Sequence, residues 1–452
     1  MKRGLIFCTV MFAAGLTFGQ GQPATRILTF EEAIQIALRN SVLFNQQKNN
    51  MQFSQMQKTQ SIAALGPTLY AQSGVTQING NFFNSNQGRV VNGLFDQVSG
   101  SLQANWAIFN GLSQVNRVKQ YSSQLEAQSF YVNRTKQDVI NTVATQYLTL
   151  LLDAELLRIA RENFASLDKQ LQQVSEQVKL GARSPVDEYN QDSQTKAAQI
   201  RAYQAEIQLI NDKALLTQTL LMDPDEQFDI AKPDWDVNKI GSEEYALPQL
   251  YETALNTRGD YLRAKKTEDG SRYAMKAMKA QFLPSLSAFF SINSFYNRNH
   301  GDSSTAPFER QFKEDNLRKM YGLQLYVPIF GGNQNLQNRM NYVQQKVTYM
   351  NNQIARKNTE IQVKTDVMRA YQNFQLYKRT FEASLAQIKA AEMAFSLETE
   401  RYNLGITNFV DYANANRAFV QAQTDKAQSE YRLLFQKVVL DYAVGTLRED
   451  DL

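Results

Sequence analysis

Two copies of one turn lie 224 residues apart, Val178-Lys-Leu-Gly-Ala-Arg-Ser-Pro-Val-Asp-Glu188 and Tyr402-Asn-Leu-Gly-Ile-Thr-Asn-Phe-Val-Asp-Tyr412. In both, a long Gln- and Asn-rich helical pattern runs into Leu-Gly, breaks briefly and restarts on Val-Asp. Gly181 and Gly405 read as the glycines just past a helix end, and Ser184 and Asn408 read as N-caps. An acid follows each cap by three residues, Asp187 and Asp411, which makes each turn a capping-box variant. A turn repeated at that distance predicts a duplicated chain.

The other landmarks agree. Phe109-Asn-Gly111 has its counterpart in Phe330-Gly-Gly332, 221 residues on, and Ala64-Leu-Gly-Pro67 in Gln281-Phe-Leu-Pro284, 217 residues on. The expected period is about 220 residues. Residues 22–240 form repeat 1, with strands about 66–78 and 97–109 and long helices about 112–180 and 185–222. Residues 241–452 form repeat 2, with strands about 284–297 and 320–330 and long helices about 333–404 and 408–444. Two polar loops, Asn79 to Asn92 and Asn297 to Lys319, separate the strands of each pair.

The helices are long because nothing interrupts them. From Leu112 to Leu180 there is neither proline nor glycine, and Val118, Leu125, Val132 and Val139 recur at seven-residue steps. Such a helix would span roughly 100 Å. Leu336, Met340, Val343, Val347, Met350 and Ile354 alternate four and three apart, a coiled-coil seam. Near the start, two helical pieces over Leu28 to Ala64 break at Asn40-Ser41, with Thr29 as the first N-cap and Glu32 three residues on.

The strands alternate apolar and polar residues, as in Leu69, Ala71, Ser73 and Val75 against Tyr70, Gln72, Gly74 and Thr76. Tyr70, Trp106, Phe109, Phe289, Phe290, Phe295, Tyr296, Tyr321, Tyr326 and Phe330 concentrate in and beside them, as interfacial aromatic girdles would. Met1-Lys2-Arg3, an apolar stretch from Gly4 to Phe18 and the polar residues after it read as a cleavable secretory signal, residues 1–21. Its Cys8 is the only cysteine, so the mature chain would hold no disulfide. No later run is apolar enough for a spanning helix, so a membrane span must be made of strands. Four strands cannot close a barrel, and oligomerisation is required: two chains would supply eight strands and three would supply twelve. A solvated coiled-coil rod competes with a helical wall around an aqueous bore, and the hairpins favour the wall.

Catalysis has little to stand on. His300 is the only histidine, which leaves Ser-His and His-metal chemistry without a second member. Glu31-Glu32, Glu243-Glu244 and Asp450-Asp451 read as helix-terminal and tail charge. No catalytic, cofactor-binding or metal-binding residues are expected, hence no cofactor and no enzyme. The formal charge falls from +4 to +2 once Lys2 and Arg3 are removed, so no nucleic-acid partner is expected.

With the duplicated plan, the Phe-Asn-Gly and Phe-Gly-Gly strand exits and the two Leu-Gly turns together, the mature chain resembles a TolC-family outer membrane efflux protein (outer membrane factor). The resemblance implies a mainly α fold with β: a trimeric outer-membrane β-barrel, four strands per chain, continuous with a long periplasmic α-helical barrel. It implies an equatorial girdle from about 223–245 and the C-terminal tail. It also implies passive export of tripartite efflux or type I secretion type, from the outer membrane of a Gram-negative cell. The implied partners are outer membrane lipid, an inner-membrane pump and a periplasmic adaptor (membrane fusion protein) docking at the helical tips. For the tips, the resemblance assigns a periplasmic gate to Asp411, Tyr402 and Asp187, with Asn414 where a second constricting acid would stand and Thr407 where a basic residue would, Arg183 and Arg401 being the two candidates to take that residue's place. Leu180, Gly181, Ala182, Leu404, Gly405, Ile406 and Thr407 are the expected adaptor contacts.

Overall fold

A computed structural model describes residues 26–84, 88–233, 235, 237–242, 244–300, 306–329 and 331–448. The expected signal segment 1–21, Glu243, Phe330 and the tail acids Asp450 and Asp451 lie outside them.

In chain order the elements are β1 (Arg26–Leu28), α1 (Phe30–Asn40), α2 (Val42–Ala63), β2 (Thr68–Asn84), β3 (Arg89–Asn110), α3 (Ser113–Lys179), α4 (Pro185–Leu220), β4 (Phe228–Ile230) and α5 (Val237–Ser242). There follow α6 (Leu247–Thr257), α7 (Gly259–Lys279), β5 (Ser285–Asn299), α8 (Phe308–Arg310), β6 (Arg318–Tyr326), α9 (Asn333–Asn403) and α10 (Phe409–Val444). The chain divides into two compact units, neither of which coincides with one half of the sequence.

One unit comprises the chain up to Ala37, Val143–Asp236 and Ala386–Tyr431. There β1 pairs in parallel with β4, Leu28 opposite Ile230. The Tyr147 hydroxyl sits 2.9 Å from the Leu28 carbonyl and 2.7 Å from that of Ala231, which ties α3 to both short strands. Leu28, Ile34, Leu150, Leu216, Leu220 and Phe228 are buried in the same unit, and the Phe30 ring meets Tyr147 edge-on at 5.3 Å. Thr29 caps α1 through Glu32 N, 3.2 Å away, and α1 stops at Asn40 where Ser41 caps α2 through Phe44 N. Helix α4 ends ahead of Asp223-Pro224. Its closing turn puts Leu221 at φ 51°, a left-handed position that a side chain resists by about 1–2 kcal/mol.

A buried acid in this unit is expected to make stability fall with pH. Burial, reinforced by a hydrogen bond with Asp212, pushes the Asp153 carboxyl up to about 7. The folded chain then holds a proton that the unfolded chain releases near pH 4, so the stabilisation is complete below about pH 4 and lost as pH rises through about 7. The melting temperature of the detergent-solubilised protein should drop between about pH 5 and about pH 8, and Asp153→Asn should flatten that drop. A wild-type melting temperature that climbs over the same interval would contradict the assignment.

The second unit comprises Leu38–Thr142, Val237–Leu385 and the chain from Arg432. It contains a four-stranded antiparallel sheet in the order β2-β3-β5-β6, so β2 and β6 are both free edges. The ladders put Leu69, Val75, Val98, Leu102, Ala104, Phe290, Ile292, Tyr321 and Leu323 on one face, and Gln72, Thr76, Ser99, Gln103, Ser291, Asn293 and Gln324 on the other. One face is mainly apolar, interrupted by Gln77, Asp96, Arg298 and Lys319, and the other mainly polar, interrupted by Tyr70, Phe95, Phe289 and Phe295.

The sheet differs from expectation in two places. The strands expected over 66–78 and 97–109 run Thr68–Asn84 and Arg89–Asn110, so most of the polar stretch taken as a loop is a two-stranded ribbon. Asn79 to Asn84 pair only with Arg89 to Leu94, beyond the last residue of β5, and Asn92 donates to Asn81 across the ladder at 2.6 Å. Backbone pairing needs no apolar side chain, and the Asn-rich composition misled. The strand expected to about 330 stops at Tyr326, because Pro328 has no N–H to give a ladder. Within the second expected loop, α8 runs on into a π-helical turn over Gln311–Asp315.

Residues 223–236 of the expected girdle segment belong to the first unit, and 237–245 with Thr446–Arg448 to the second. Among the described residues no helix is long and apolar enough to cross a membrane, and no His/Cys/Asp/Glu cluster could hold a metal.

Candidate functional site: the two helix-tip turns

Both tip turns fall in the first unit and are built alike. At the end of α3, Ala182 N donates to Gln177 O (2.8 Å) and Gly181 N to Val178 O (2.9 Å). At the end of α9, Ile406 N donates to Arg401 O (2.9 Å) and Gly405 N to Tyr402 O (3.1 Å). These are paired Schellman closures, which need a left-handed residue just past the helix. Gly181 (φ 75°) and Gly405 (φ 74°) supply it. Leu180, Leu404 and Ile406 project into solvent, 83%, 74% and 64% exposed, and Ala182 is exposed beside them.

The restart of each second helix departs from a full capping box. Ser184 Oγ accepts from Val186 N at 3.2 Å, and Asp187 N bonds to the Ser184 carbonyl instead. Asn408 Oδ1 does accept from Asp411 N, at 2.9 Å, but the Asp411 carboxylate receives the Thr407 hydroxyl (3.3 Å) and not the cap's own N–H. Aspartate is one methylene shorter than the glutamate of a reciprocal box, and it does not reach back. Thr407 and Asp411 are thus brought together; Asn414, one turn later, is exposed.

Tyr402 is not paired with Asp187. The ring is 2% exposed, its hydroxyl has no hydrogen-bond partner among the described residues, and Asp187 acts on it only as a nearby charge. The residue in contact is Arg183, from the other tip turn. Its guanidinium lies 4.1 Å from the Tyr402 ring centroid and donates to the Tyr402 carbonyl at 3.1 Å. That carbonyl also receives Gly405 N, so one oxygen serves the α9 closure and the bridge to the other turn. Burial raises the Tyr402 pKa, and Arg183 partly offsets this. Arg401, the other nearby cation, is engaged by Glu398 at 2.9 Å.

Beneath the bridge lies an aromatic stack. Tyr402 packs face to face on Tyr412 (centroids 4.8 Å, 16°) and edge-on to Phe409 (6.4 Å), while Phe395 stacks on Phe419 (5.3 Å). Burial pushes the Tyr412 hydroxyl up to about 12. Part of the signal for this stack was present in the sequence: Phe395 and Tyr402 are seven apart on α9, and Tyr412 and Phe419 are seven apart on α10, which puts each pair on one stripe of its helix. Phe409 opens α10 and is brought to Tyr402 by the turn between the helices.

A family model for outer membrane efflux proteins matches residues 33–220 and 250–446. The chain is 23% identical over 328 residues to the outer membrane protein TolC of Vibrio cholerae, across 70% of each chain. It is 21% identical over 377 residues to TolC of Escherichia coli, across 81% of this chain and 73% of that one. In fold it is similar to the outer membrane protein VceC of Vibrio cholerae (TM-score 0.78, 15% identity, 92% of this chain and 96% of that one). It is also similar to the MtrE outer membrane channel of Neisseria gonorrhoeae (TM-score 0.74, 16% identity, 94% and 90%). With the family model covering most of the sequence in two segments, the chain belongs to the outer membrane efflux protein family.

Proposed function

We propose that three copies of this chain assemble into a passive exit duct, a twelve-stranded barrel in the outer membrane leading into a helical barrel in the periplasm, with residues 22–240 and 241–452 as its two repeats. The observation that carries the assembly is an apolar seam that the described residues leave largely exposed. Leu336, Met340, Val343, Val347, Met350 and Ile354 of α9 alternate four and three apart yet are 47–66% exposed. In the other unit Ile200, Tyr203, Ile207 and Ile210 of α4 do the same at 56–60%. Such stripes are core positions of helix packing, and leaving them wet forgoes on the order of 1 kcal/mol each. A second copy is the occupant that brings matching stripes.

The free sheet edges ask for the same thing. β2 and β6 run antiparallel to each other, so β6 of one copy can pair with β2 of the next, and the ring closes with an even strand number. The apolar face then meets lipid and the polar face lines the bore.

At the periplasmic end, the Arg183–Tyr402 bridge holds the two tip turns together. Asp411, exposed beside it, supplies carboxylates to the mouth, with Asp187, Asn414 and Thr407 around it. The exposed tips Leu180-Gly181-Ala182 and Leu404-Gly405-Ile406-Thr407 receive a periplasmic adaptor, which couples the duct to an inner-membrane pump that supplies the energy. Replacing Leu404 and Ile406 together by aspartate should abolish co-purification with the adaptor, because both side chains are solvent-exposed and their loss leaves the fold intact. Unchanged adaptor recovery, with the oligomer intact, would refute the tip as the docking surface.

A further inference from the structure

Where α2, α3, α7 and α9 meet the sheet of the second unit, their charge is almost all positive. The helices stand in the order of the strands they continue. Gln128 of α3 donates to the Gln47 carbonyl of α2 (3.2 Å), Ser113 of α3 donates to the Ala277 carbonyl of α7 (3.1 Å), and Arg356 of α9 pairs with Glu268 of α7 (2.6 Å). In the turns nearest the strands, α2 carries Lys58, α3 carries Arg117 and Lys119, and α7 carries Arg272, Lys276 and Lys279. Helix α9 adds Arg339 and Lys346. The nearest acids along these helices are already held: Asp269 by Arg272 (2.8 Å), Glu126 by Lys266 (2.5 Å), Glu268 by Arg356 and Glu360 by Lys364 (2.8 Å). Apart from Arg272, the cations nearest the strands have no ion-pair acid among the described residues.

This charge gathers round one ring. Lys119 of α3 and Lys276 of α7 each stand 5.7 Å from the Tyr273 ring centroid, and Arg272 stands at 5.3 Å. Both lysines are exposed, so the pair forms an electropositive notch whose mutual repulsion an anion would relieve. Between the notch and the strands the chain carries no charge: residues 64–67, 111–112, 280–284 and 327–332 contain none. Leu112, Phe282, Leu283 and Val327 there are 40–56% exposed. Lys119 and Lys276 lie roughly 10 Å along their helices from the strand ends. A headgroup layer about 5–8 Å deep, together with the reach of a lysine stem, covers that distance.

Handedness sets the side on which the notch opens. His300 N donates to the Leu94 carbonyl, and Leu94 shares the face of Val98 and Leu102. For L-residues this places β5 to the right of β3 when the apolar face is viewed with the helices uppermost. Helix α7 therefore descends on the right of α3, with Gly270 and Ala277 against it. Its right-handed turn then brings Tyr273 and Lys276 toward the viewer. On α3, Ser113, Gln120 and Ser123 meet α7, which turns Lys119 toward the viewer as well. Arg117, roughly 160° round the helix from Lys119, faces the opposite side. The contact of Lys119 with the Tyr273 ring agrees with this placement.

We propose that the Lys119–Tyr273–Lys276 notch binds the headgroup phosphate of an anionic phospholipid in the leaflet facing the periplasm, its acyl chains lying along the apolar band above. The proposal rests on the barrel reading, which puts lipid against the apolar face and the helices in the periplasm. Cations without matching acids favour a net-negative headgroup over a zwitterionic one, which brings its own ammonium.

The test uses the full-length protein in detergent and native mass spectrometry with phosphatidylglycerol and phosphatidylethanolamine. Wild type should retain phosphatidylglycerol in preference. Lys119→Gln with Lys276→Gln should weaken that retention roughly thirtyfold, about fivefold for each charge. Arg117→Gln, two residues away on the other side of α3, should leave it at the wild-type level. Excess inorganic phosphate should not displace the lipid, because it has no chains for the apolar band. Equal retention of the two lipids, undiminished binding by the double variant, an equal loss in Arg117→Gln, or displacement by phosphate would each overturn the site. Channel activity of the same preparations separates the two readings: a conducting protein that fails the lipid test rejects only the lipid site, and a wild type that forms no channel rejects the barrel.

Discussion

Replacing Arg183 by alanine should loosen the periplasmic entrance and let a large hydrophilic antibiotic, otherwise excluded by the outer membrane, reach the cell. The residue makes a cation–π contact with a ring that is almost fully buried and a charge-assisted hydrogen bond to the Tyr402 carbonyl. Together these are worth about 2–3 kcal/mol. A two-state tip whose bridged form loses that much shifts by roughly thirty- to a hundred-and-fiftyfold toward the unbridged form in each subunit. Arg183→Lys should be only partly protective, since a point ammonium cannot lie flat on the ring and reach the carbonyl at once. Tyr402→Phe should do far less than Arg183→Ala, because the hydroxyl it removes has no partner among the described residues. Growth inhibition by the antibiotic in cells making each variant at equal level is the readout, and equal sensitivity of Arg183→Ala and wild type would remove Arg183 from the entrance.

Arg258→Met should be the most damaging substitution outside the tips, lowering stability by about 3 kcal/mol. The side chain is 6% exposed, and its guanidinium is shared among three elements of the second unit. Nε donates to both carboxylate oxygens of Asp260 (3.0 and 3.1 Å), and Nη2 to Asp260 (2.9 Å) and to Asp366 of α9 (2.8 Å). Nη1 donates to the Ala443 carbonyl of α10 at 3.2 Å. Burial opposes its charge, and the two acids more than compensate, so its pKa is raised. Methionine matches the stem but leaves two carboxylates facing each other and the Ala443 carbonyl without its donor. Asp260→Asn or Asp366→Asn, each about one-third exposed, should cost about 1 kcal/mol or less, because water screens them and the other acid remains. Thermal unfolding followed by helical circular dichroism in detergent checks the ranking. An Arg258→Met midpoint no lower than that of Asp366→Asn would show that the cluster does not hold α7, α9 and α10 together.

The long helices were legible because their limits are chemical. With no glycine or proline between Leu112 and Leu180, nothing could end α3 before Gly181, and the observed helix stops at Lys179. The Asn40-Ser41 break and the Thr29 and Asn408 caps follow from the same local chemistry. What stayed hidden depends on partners distant in sequence. The ribbon from Asn79 to Leu94 is made by backbone pairing, which Asn and Gly side chains do not announce. Arg183 meets Tyr402 across 219 residues, so the sequence offered Arg183 and Arg401 alike as the tip's basic residue, and the fold puts Arg183 on the tyrosine and Arg401 on Glu398. The α9 seam was readable as a seam, and the fold adds that the described residues leave it 47–66% exposed. That is the difference between a helix packed inside a subunit and one waiting for a neighbour.

If this outer-membrane efflux protein is an aqueous duct narrowed at its tips, as proposed, single-channel recording of the purified full-length protein in planar bilayers should show discrete, cation-preferring steps, the preference coming from the exposed Asp411 carboxylates, and larger or longer openings for Arg183→Ala. A wild type that inserts yet never conducts, or conducts with anion preference and is indifferent to Arg183, would show that it is not such a duct.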